Sequence, residues 1–231
     1  MNVALIGASG NVGSRILAEL ACRGHAVTAI ARDPTRVPVL PDVVAKGGDV
    51  ADQPRLAALL AGHDAVISAV PFATTDAAAR DLPCDMRATT ISAVPFATTD
   101  AAGLIATVRS AHVPRYLVVG GAGSLEVAPG NSPLGTRLID TPDFPDAYKP
   151  EATAGCVFLD LLRVERQLDW TFLSPSAMFI PGKRTGKFRL GADQLLSNEN
   201  GSSISFEDYA VALVDELEKP SHSRARFTVG Y

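Results

Sequence analysis

The chain has 231 residues, of which 47% are hydrophobic and 20% are charged, so it is long enough for one well-buried core, and its length favours one domain. Its 21 lysines and arginines against 25 aspartates and glutamates give a net charge of −4, which argues against nucleic acid or an anionic membrane as partner. No apolar run approaches a membrane span, and no basic signal-peptide start precedes the first strand. We therefore expect a cytoplasmic protein without a metal site, whose three widely spaced cysteines are buried small hydrophobes.

Apolar runs of strand length alternate with amphipathic stretches of helix length up to about residue 175. This pattern is typical of an α/β fold with a doubly wound parallel sheet. We expect residues 175–231 to form a small cap on the substrate side of the sheet, within one domain that spans residues 1–231. The predicted strands are 2–7, 26–31, 43–45, 64–69, 115–120, 170–174 and 226–229, and the predicted helices are one that ends before Gly24 and 53–61, 98–111, 150–167 and 206–217.

One segment of the sequence occurs twice. Residues 67–78 read ISAVPFATTDAA, and residues 91–102 repeat them without a change at an offset of 24 residues. No third copy occurs, so the chain is not a solenoid. We predict that the first copy fills the fourth strand and that residues 79–90 form an extra loop. The alternative, that the second copy takes the strand position, stays open because identical sequences offer two nearly equal registers.

Three glycines, Gly7, Gly10 and Gly13, lie between the first strand and its helix. Glycines there allow a tight turn and let backbone N–H groups approach a pyrophosphate. The phosphate loop of a nucleoside triphosphatase would need a lysine and then a serine or threonine after its last glycine, and this loop continues with Ser14-Arg15. We therefore predict a dinucleotide-binding Rossmann fold. The predicted contacts in this loop are Gly7, Ser9, Gly10, Asn11, Val12 and Gly13.

The end of the second strand bears on the choice of cofactor. An arginine there accommodates the 2′-phosphate of NADP, whereas an acidic residue binds the ribose hydroxyl of NAD. Arg32 and Arg36 favour NADP(H), although the neighbouring Asp33 leaves some ambiguity. Strand-end geometry adds contacts on the adenine and nicotinamide sides. These are Asp49 and Val50 after the third strand, and Ser68, Ala69 and Val70 at the end of the fourth.

The glycine spacing in residues 7–13, the sequence GHDAV in residues 62–66 and the sequence DWTFLSPS in residues 169–176 resemble the atypical short-chain dehydrogenase/reductase superfamily. Within it, the chain is most similar to NmrA-like NAD(P)H-binding proteins related to biliverdin reductase B and flavin reductase. Residues 184–186 and 204–210 also resemble that group. The resemblance covers nearly the whole chain, but the repeated segment is not part of the group's pattern.

Most short-chain dehydrogenases use a tyrosine with a lysine four residues later, because the lysine lowers the phenol pKa. No such pair occurs in this sequence. The resemblance implies that Ser124, after the fifth strand, touches substrate or nicotinamide, and that Pro175 and Ser176 lie in the loop over the nicotinamide. Tyr148, at the start of a helix, is a second candidate catalytic residue. Further candidate cofactor contacts are Gly120, Gly121 and Lys149.

These observations favour an NADPH-dependent reductase that passes hydride to a flat acceptor such as a flavin or quinone, because a conjugated acceptor needs little help with protons. Two alternatives stay open: a non-catalytic NADP(H) sensor that reports redox state to a partner and, more weakly, a sugar-nucleotide epimerase or dehydratase. Three histidines, His25, His63 and His112, lie in turns that enter strands, away from the predicted site. His222 is the remaining histidine that this argument does not place away from the site. The sequence does not name the acceptor or decide between a monomer and a homodimer.

Overall fold

The structure is a computed structural model of the chain, and it describes residues 1–72, 100–128 and 135–231. Strands and helices alternate along most of this length. The strands are β1 (Asn2–Ile6), β2 (Ala26–Ala31), β3 (Val43–Gly47), β4 (Ala65–Ser68), β5 (Arg115–Val119), β6 (Glu126–Ala128), β7 (Thr136–Arg137), β8 (Asp169–Pro175), β9 (Met178–Ile180), β10 (Arg189–Gly191), β11 (Ser203–Ser205) and β12 (Ala225–Gly230). The helices are α1 (Asn11–Cys22), α2 (Gln53–Leu60), α3 (Ala101–Ser110), α4 (Lys149–Val164) and α5 (Phe206–Glu218).

The main sheet has eight strands in the order β10-β12-β8-β5-β4-β1-β2-β3. Neighbouring strands run parallel, except that β10 is antiparallel to β12 at one edge. Because β1 lies between β2 and β4, the strand order reverses there and opens a crevice at the carboxyl end of β1. Ligands of open α/β sheets bind in such a crevice. The predicted doubly wound fold is confirmed.

Helices cover both faces of the sheet. On one face, α1 and α5 bury a core cluster that includes Leu17, Leu213 and the β1 residue Leu5. On the other face, α2, α3 and α4 bury a second cluster that includes Leu56 and Phe158. Successive strand residues point alternately into the two clusters, as the pleat of a strand requires. Both faces are therefore closed by packing, and the ends of the strands remain accessible to a ligand.

The segment after β8 does more than cap the sheet. β12 pairs in parallel with β8, and β10 pairs with β12, so these two strands extend the main sheet. α5 packs against α1 and completes a helical layer. Only β9 and β11, which pair with each other, form a separate small sheet in this segment. The sequence pattern missed the continued alternation because β9, β10 and β11 have only three residues each.

The first copy of the repeated sequence occupies β4. Ile67 and Ser68 pair with β1 and β5, which confirms the predicted assignment, and the alternative with the second copy in this strand is wrong. The second copy contributes the cap of α3, because the Asp100 side chain accepts a bond from the N–H of Gly103 at 3.0 Å. The predicted extra loop at residues 79–90 lies outside the described residues.

Several predicted boundaries differ from the structure for local reasons. β1 ends one residue early because Gly7 turns the chain with a φ of +83°. α4 ends before Glu165, which has extended backbone, although we predicted it to reach residue 167. β3 continues to Gly47 because it pairs with β2 along its whole length. No helix within the described ranges combines the length and apolarity needed to cross a lipid bilayer.

Candidate functional site

Gly7 and Gly13 let β1 and α1 approach each other closely. Gly7 has left-handed backbone, and a Cβ on it would lie 2.5 Å from the carbonyl oxygen of Ala69. A Cβ on Gly13 would lie 2.1 Å from the carbonyl oxygen of Gly7. Neither position has room for a side chain. The packing of the turn itself therefore requires these two glycines.

Gly10 is different, because among the described residues only the carbonyl oxygen of Gly7, at 3.3 Å, lies near the place that its Cβ would take. Gly10 is the N-cap of α1, and no side chain from the described residues caps this helix. In contrast, Asp52, Asp100 and Ser205 cap α2, α3 and α5. The first N–H groups of α1 thus lie at the crevice without a side-chain acceptor. Such a helix terminus binds phosphate.

The other predicted residues of this loop lie in the same turn. Ser9 is half-buried, and Val12 is buried in the core below α1. The carbonyl oxygen of Asn11 accepts bonds from Ser14 Oγ at 3.1 Å and from Arg15 Nη1 at 3.3 Å. Because the Val12 side chain is committed to the core, we expect it to meet a ligand through its backbone N–H.

The residues after β2 determine the charge at one end of the crevice. Arg32 and Arg36 are exposed. Asp33 lies beside Arg32, and its carboxylate accepts bonds from Thr35 Oγ1 at 2.6 Å and from Thr35 N at 3.1 Å. These two bonds hold the pKa of Asp33 below its usual value. The one acidic side chain of this turn is therefore bonded within the turn, while the two arginines are exposed.

The predicted contacts at the ends of β3 and β4 are also brought to this edge of the sheet. Asp49 accepts a bond from the backbone N–H two residues later at 2.9 Å, and Val50 packs against the second core cluster. Ser68 is buried, and the Ala69 carbonyl lies against the glycine loop beside Val70. Because these side chains are packed or bonded, we expect this group to meet a cofactor through backbone atoms.

The ends of β5 and β8 differ in how open they are. A Cβ on Gly120 would lie 2.3 Å from an aromatic carbon of β8, whereas no atom of residues 1–72, 100–128 or 135–231 lies within 4 Å of a Cβ on Gly121. Pro175 and Ser176 are buried, and the Ser176 hydroxyl donates to a carbonyl oxygen of β12 at 3.1 Å. The structure therefore leaves open space at Gly121, but it directs the predicted Ser176 hydroxyl into the sheet.

Ser124 lies beside a buried arginine that the sequence did not single out. Arg226 Nη1 donates to Ser124 Oγ at 3.3 Å, and Arg226 Nε donates to Asp193 Oδ1 at 2.7 Å. Because Arg226 supplies a donor to the serine oxygen, the Ser124 proton remains available for another acceptor. Sequence reasoning missed Arg226 because it comes from β12, 102 residues further along the chain, where no local motif marks it.

The start of α4 lies next to the chain that follows β4. Tyr148 is the N-cap residue of α4, and Lys149 Nζ forms an ion pair with Asp146 Oδ1 at 2.6 Å. Glu151, in the first turn, accepts a bond from the backbone N–H of Phe72 at 2.8 Å. No sequence pattern indicated Glu151, whose partner is distant in the chain. This bond ties α4 to the end of β4, on the side predicted for the nicotinamide.

Three of the tyrosines are unsuited to act as phenolates near neutral pH. Burial raises the pKa of Tyr116, and Ser68 beside it offsets only part of that rise. Burial also raises the pKa of Tyr209, whose hydroxyl donates to a carbonyl oxygen of β8 at 2.7 Å. Burial is also the main cause that raises the pKa of Tyr231. This agrees with the absence of a tyrosine–lysine pair from the sequence.

The histidines lie away from the crevice. His25, His63 and His112 precede β2, β4 and β5, at the amino end of the sheet, as expected. His222, which the sequence left open, precedes β12 at the same end, and its Nδ1 lies 2.7 Å from Glu216 Oε2. The candidate site at the carboxyl ends of the strands is therefore built without histidine.

The glycine loop, the open helix terminus and the strand order together describe a dinucleotide site, and comparison with known proteins agrees. A sequence model of a family described as NAD(P)H-binding matches residues 7–220. The chain belongs to this NAD(P)H-binding family. The predicted resemblance to the atypical short-chain dehydrogenase/reductases is confirmed, and with it the general class of NAD(P)H-binding, oxidoreductase-like proteins.

Individual relatives match along their full length. The chain is 40% identical to the uncharacterised protein YwnB of Bacillus subtilis, over 99% of this chain and 98% of that protein. A structure from Bacteroides thetaiotaomicron, provisionally named an epimerase, is 39% identical with a TM-score of 0.83, over 100% of this chain and 96% of the other. A structure from Streptococcus pneumoniae, provisionally named an NADH-flavin reductase, is 37% identical with a TM-score of 0.77, over 100% and 99%.

Proposed function

We propose that the chain is an NADPH-dependent reductase that transfers hydride to a planar, electron-poor acceptor such as a free flavin or a quinone. The observation that carries the proposal is the open N-terminus of α1 at Gly10, because its N–H groups and helix dipole suit a pyrophosphate. When bound, the cofactor supplies the hydride. The relative provisionally named an NADH-flavin reductase supports an acceptor of this kind.

The polar groups near the site support an acceptor that needs no strong acid. Hydride transfer to a conjugated acceptor leaves a negative charge spread over its rings, and one proton from solvent or from Ser124 completes the two-electron reduction. Ser124 suits this role because it accepts a bond from Arg226 and keeps its own proton for donation. Tyr148 is the second candidate donor. Positioning of the acceptor over the nicotinamide then supplies most of the rate.

The turn after β2 supports NADP(H) over NAD(H). Asp33 Oδ1 accepts two bonds from Thr35 within the turn, and Arg32 and Arg36 are exposed beside it. A guanidinium is the side chain that pairs best with the oxygens of a phosphate. We therefore expect NADPH to bind more tightly than NADH.

Oxidation of NADPH, followed by the loss of nicotinamide absorbance, tests the reductase directly. The acceptors are FMN, riboflavin, quinones and biliverdin, with NADH in parallel as the donor control. Turnover with a flavin or quinone supports the proposal. Tight NADPH binding without turnover of any acceptor contradicts it and favours the redox sensor, which needs no catalytic tyrosine. Interconversion of a sugar nucleotide without net consumption of NADPH favours the epimerase.

The variant Arg32→Glu tests the cofactor preference. Replacement of a guanidinium by a carboxylate at a phosphate contact is expected to raise the dissociation constant for NADPH roughly 10- to 100-fold and to change that for NADH little. Fluorescence titration of both cofactors measures the two constants. Equal weakening of NADPH and NADH would contradict the assignment of Arg32 to the 2′-phosphate.

We also propose that the protein acts in the cytoplasm on small molecules, without a nucleic-acid or membrane partner. The net charge of −4 supports this, because neither a nucleic acid nor an anionic membrane attracts such a surface. Fractionation of the producing cells tests the location, and recovery of the protein with the membrane fraction contradicts it. Sedimentation of the purified protein decides between monomer and homodimer.

A further inference from the structure

Arg55 extends from the first turn of α2 towards the ends of β2 and β3. Its side chain is exposed, and its backbone N–H donates to Asp52 Oδ1 at 3.2 Å, which fixes it in the capped turn. A Cβ on Gly47, the last residue of β3, would lie 4.0 Å from Arg55 Nη2. The guanidinium therefore lies at the carboxyl end of β3, on the same edge of the sheet as the glycine loop.

The same point of β3 also contacts the turn after β2. The Cβ position of Gly47 lies 3.8 Å from Cγ of Pro34, which opens that turn, and Gly47 is paired with the last residue of β2. Arg32 follows that residue directly, and Arg36 closes the turn. Three arginines from two separate elements thus lie around one corner of the crevice.

The acidic residues at this corner are bonded to groups other than Arg55. Asp33 bonds within its own turn, Asp49 bonds a backbone N–H two residues later, and Asp52 caps α2. Within residues 1–72, 100–128 and 135–231, the Arg55 guanidinium forms no hydrogen bond or ion pair. An exposed cation without a protein partner is available to an anionic ligand.

We propose that Arg55 is a specificity-determining residue that binds the 2′-phosphate of NADP(H) together with Arg32. The inference rests on the proposed NADP(H) function and adds to it a residue from α2. Two guanidinium groups that approach from different elements neutralise a phosphate dianion better than one, and each presents paired N–H donors to its oxygens. NADH has a neutral hydroxyl at this position, so Arg55 strengthens the binding of NADPH alone.

Two simple ligands isolate this contact, because adenosine 2′,5′-bisphosphate and AMP differ only in the 2′-phosphate. Their dissociation constants, and those of NADPH and NADH, are measured by calorimetry for the unmodified protein and for Arg55→Ala. We expect Arg55→Ala to weaken the 2′,5′-bisphosphate and NADPH roughly tenfold or more and to leave AMP and NADH within about twofold. Arg55→Lys keeps the positive charge but lacks the planar, paired N–H donors of a guanidinium, so its affinity for NADPH and the 2′,5′-bisphosphate is expected to lie between those of the unmodified protein and Arg55→Ala.

Arg166→Ala is the matched control, since it removes another exposed arginine from the amino end of the sheet, and it is expected to change none of the four constants. Equal weakening of AMP and the 2′,5′-bisphosphate by Arg55→Ala overturns the inference, because Arg55 would then contact the shared adenosine or its 5′-phosphate. Unchanged binding of all four ligands overturns it as well. If the unmodified protein binds neither NADPH nor NADH, the proposed function fails and the inference falls with it, so the two failures are distinguishable.

Discussion

The two ends of the main sheet are built in opposite ways. At the amino end, Glu216 is almost completely buried and accepts bonds from Arg115 Nη2 at 2.8 Å and from the backbone N–H of His222 at 2.9 Å. Arg115 is buried too and donates to Thr171 Oγ1 at 2.6 Å. At the carboxyl end, the first N–H groups of α1 have no side-chain acceptor within the part of the chain that the structure describes.

This difference separates stability from ligand binding. The buried charges of Arg115 and Glu216 at the amino end are paired with each other, and Asp169 lies 3.1 Å from the same guanidinium, so loss of either member of the pair removes interactions that stabilise the other. The first N–H groups of α1 at the carboxyl end are instead available to an anion, and the helix dipole of α1 adds a favourable field there. We therefore expect substitutions among the paired charges of the amino end to change the free energy of unfolding and substitutions at the open N-terminus of α1 to change cofactor affinity.

The largest effect is expected at Glu216. The variant Glu216→Ala leaves the buried guanidinium of Arg115 with the partly exposed Asp169 as its remaining carboxylate, and it removes the acceptor of the His222 N–H. The free energy of unfolding is expected to fall by about 3 kcal/mol. Urea denaturation measures this loss, and NADPH titration of the folded protein is expected to give an unchanged dissociation constant. The milder Glu216→Gln keeps the shape of the side chain and allows the same comparison if Glu216→Ala does not fold.

A double variant checks the physical reason for this loss. Replacement of Arg115 by Met together with Glu216 by Leu removes both charges, so the part of the loss that comes from an unpaired charge is expected to return, while the N–H groups of Ser221 and His222 still lack their acceptor. A weaker affinity for NADPH in Glu216→Gln, with unchanged stability, would contradict the proposed division between the two ends.

Gly13 and Gly10 test the carboxyl end with the same added methyl group. In Gly13→Ala, the new Cβ meets a backbone carbonyl at 2.1 Å, and the resulting strain is expected to lower the free energy of unfolding by about 1–3 kcal/mol. In Gly10→Ala, the nearest atom is 3.3 Å away, so the fold is expected to tolerate the change. The added methyl group nevertheless lies where the pyrophosphate is expected, so NADPH affinity is expected to fall roughly tenfold or more.

Thermal denaturation and NADPH titration of both variants make the comparison. If Gly10→Ala binds NADPH as the unmodified protein does, the N-terminus of α1 is not the phosphate site.

The sequence predicted most of the fold because its signals are local. The alternation of apolar runs located the strands β1 to β5 and β8, but not the short β6 and β7, and the glycines of residues 7–13 located the turn after β1. The part after β8 was predicted less well, since strands of three residues carry no measurable periodicity. The pairing of β12 with β8 is a long-range contact that no window of sequence contains.

In the candidate site, too, only features with a local sequence signal could be predicted. The position of residues that follow strand ends, such as Gly120 after β5, could be predicted because the carboxyl ends of the parallel strands lie on one edge of the sheet, whereas their roles stay predictions. The residues that contact them could not be predicted, because Arg226 and Glu151 come from elements that are distant in the chain and belong to no sequence motif. Ser176 was predicted as a cofactor contact from its place after β8, and only the structure reveals that its hydroxyl bonds to β12. That role stays a prediction.

The smallest effect concerns the repeated sequence at the carboxyl end of β4. Ala65 and Val66, which precede the first copy, are completely buried in β4, whereas Thr89 and Thr90 precede the second copy. Two buried hydroxyl groups would need new hydrogen-bond partners in the strand, which explains why the first copy occupies it. The second copy supplies the Asp100 cap of α3. The first copy therefore supplies the end of β4 and the second copy supplies the cap of α3, although one copy alone contains both of these sequences.

Excision of residues 73–96 joins Phe72 to Ala97 and restores one uninterrupted copy, ISAVPFATTDAA. The connection between Phe72 and Asp100 becomes roughly ninefold shorter. Because the entropic cost of closing a shorter loop is smaller, the free energy of unfolding is expected to rise by up to about 2 kcal/mol. Urea denaturation measures the gain, and NADPH affinity is expected to stay unchanged. A variant with the same 24 residues in shuffled order separates length from sequence. Weaker NADPH binding after excision but not after shuffling would mean that the length of this connection, and not only the glycine loop, positions the carboxyl end of β4 for the cofactor.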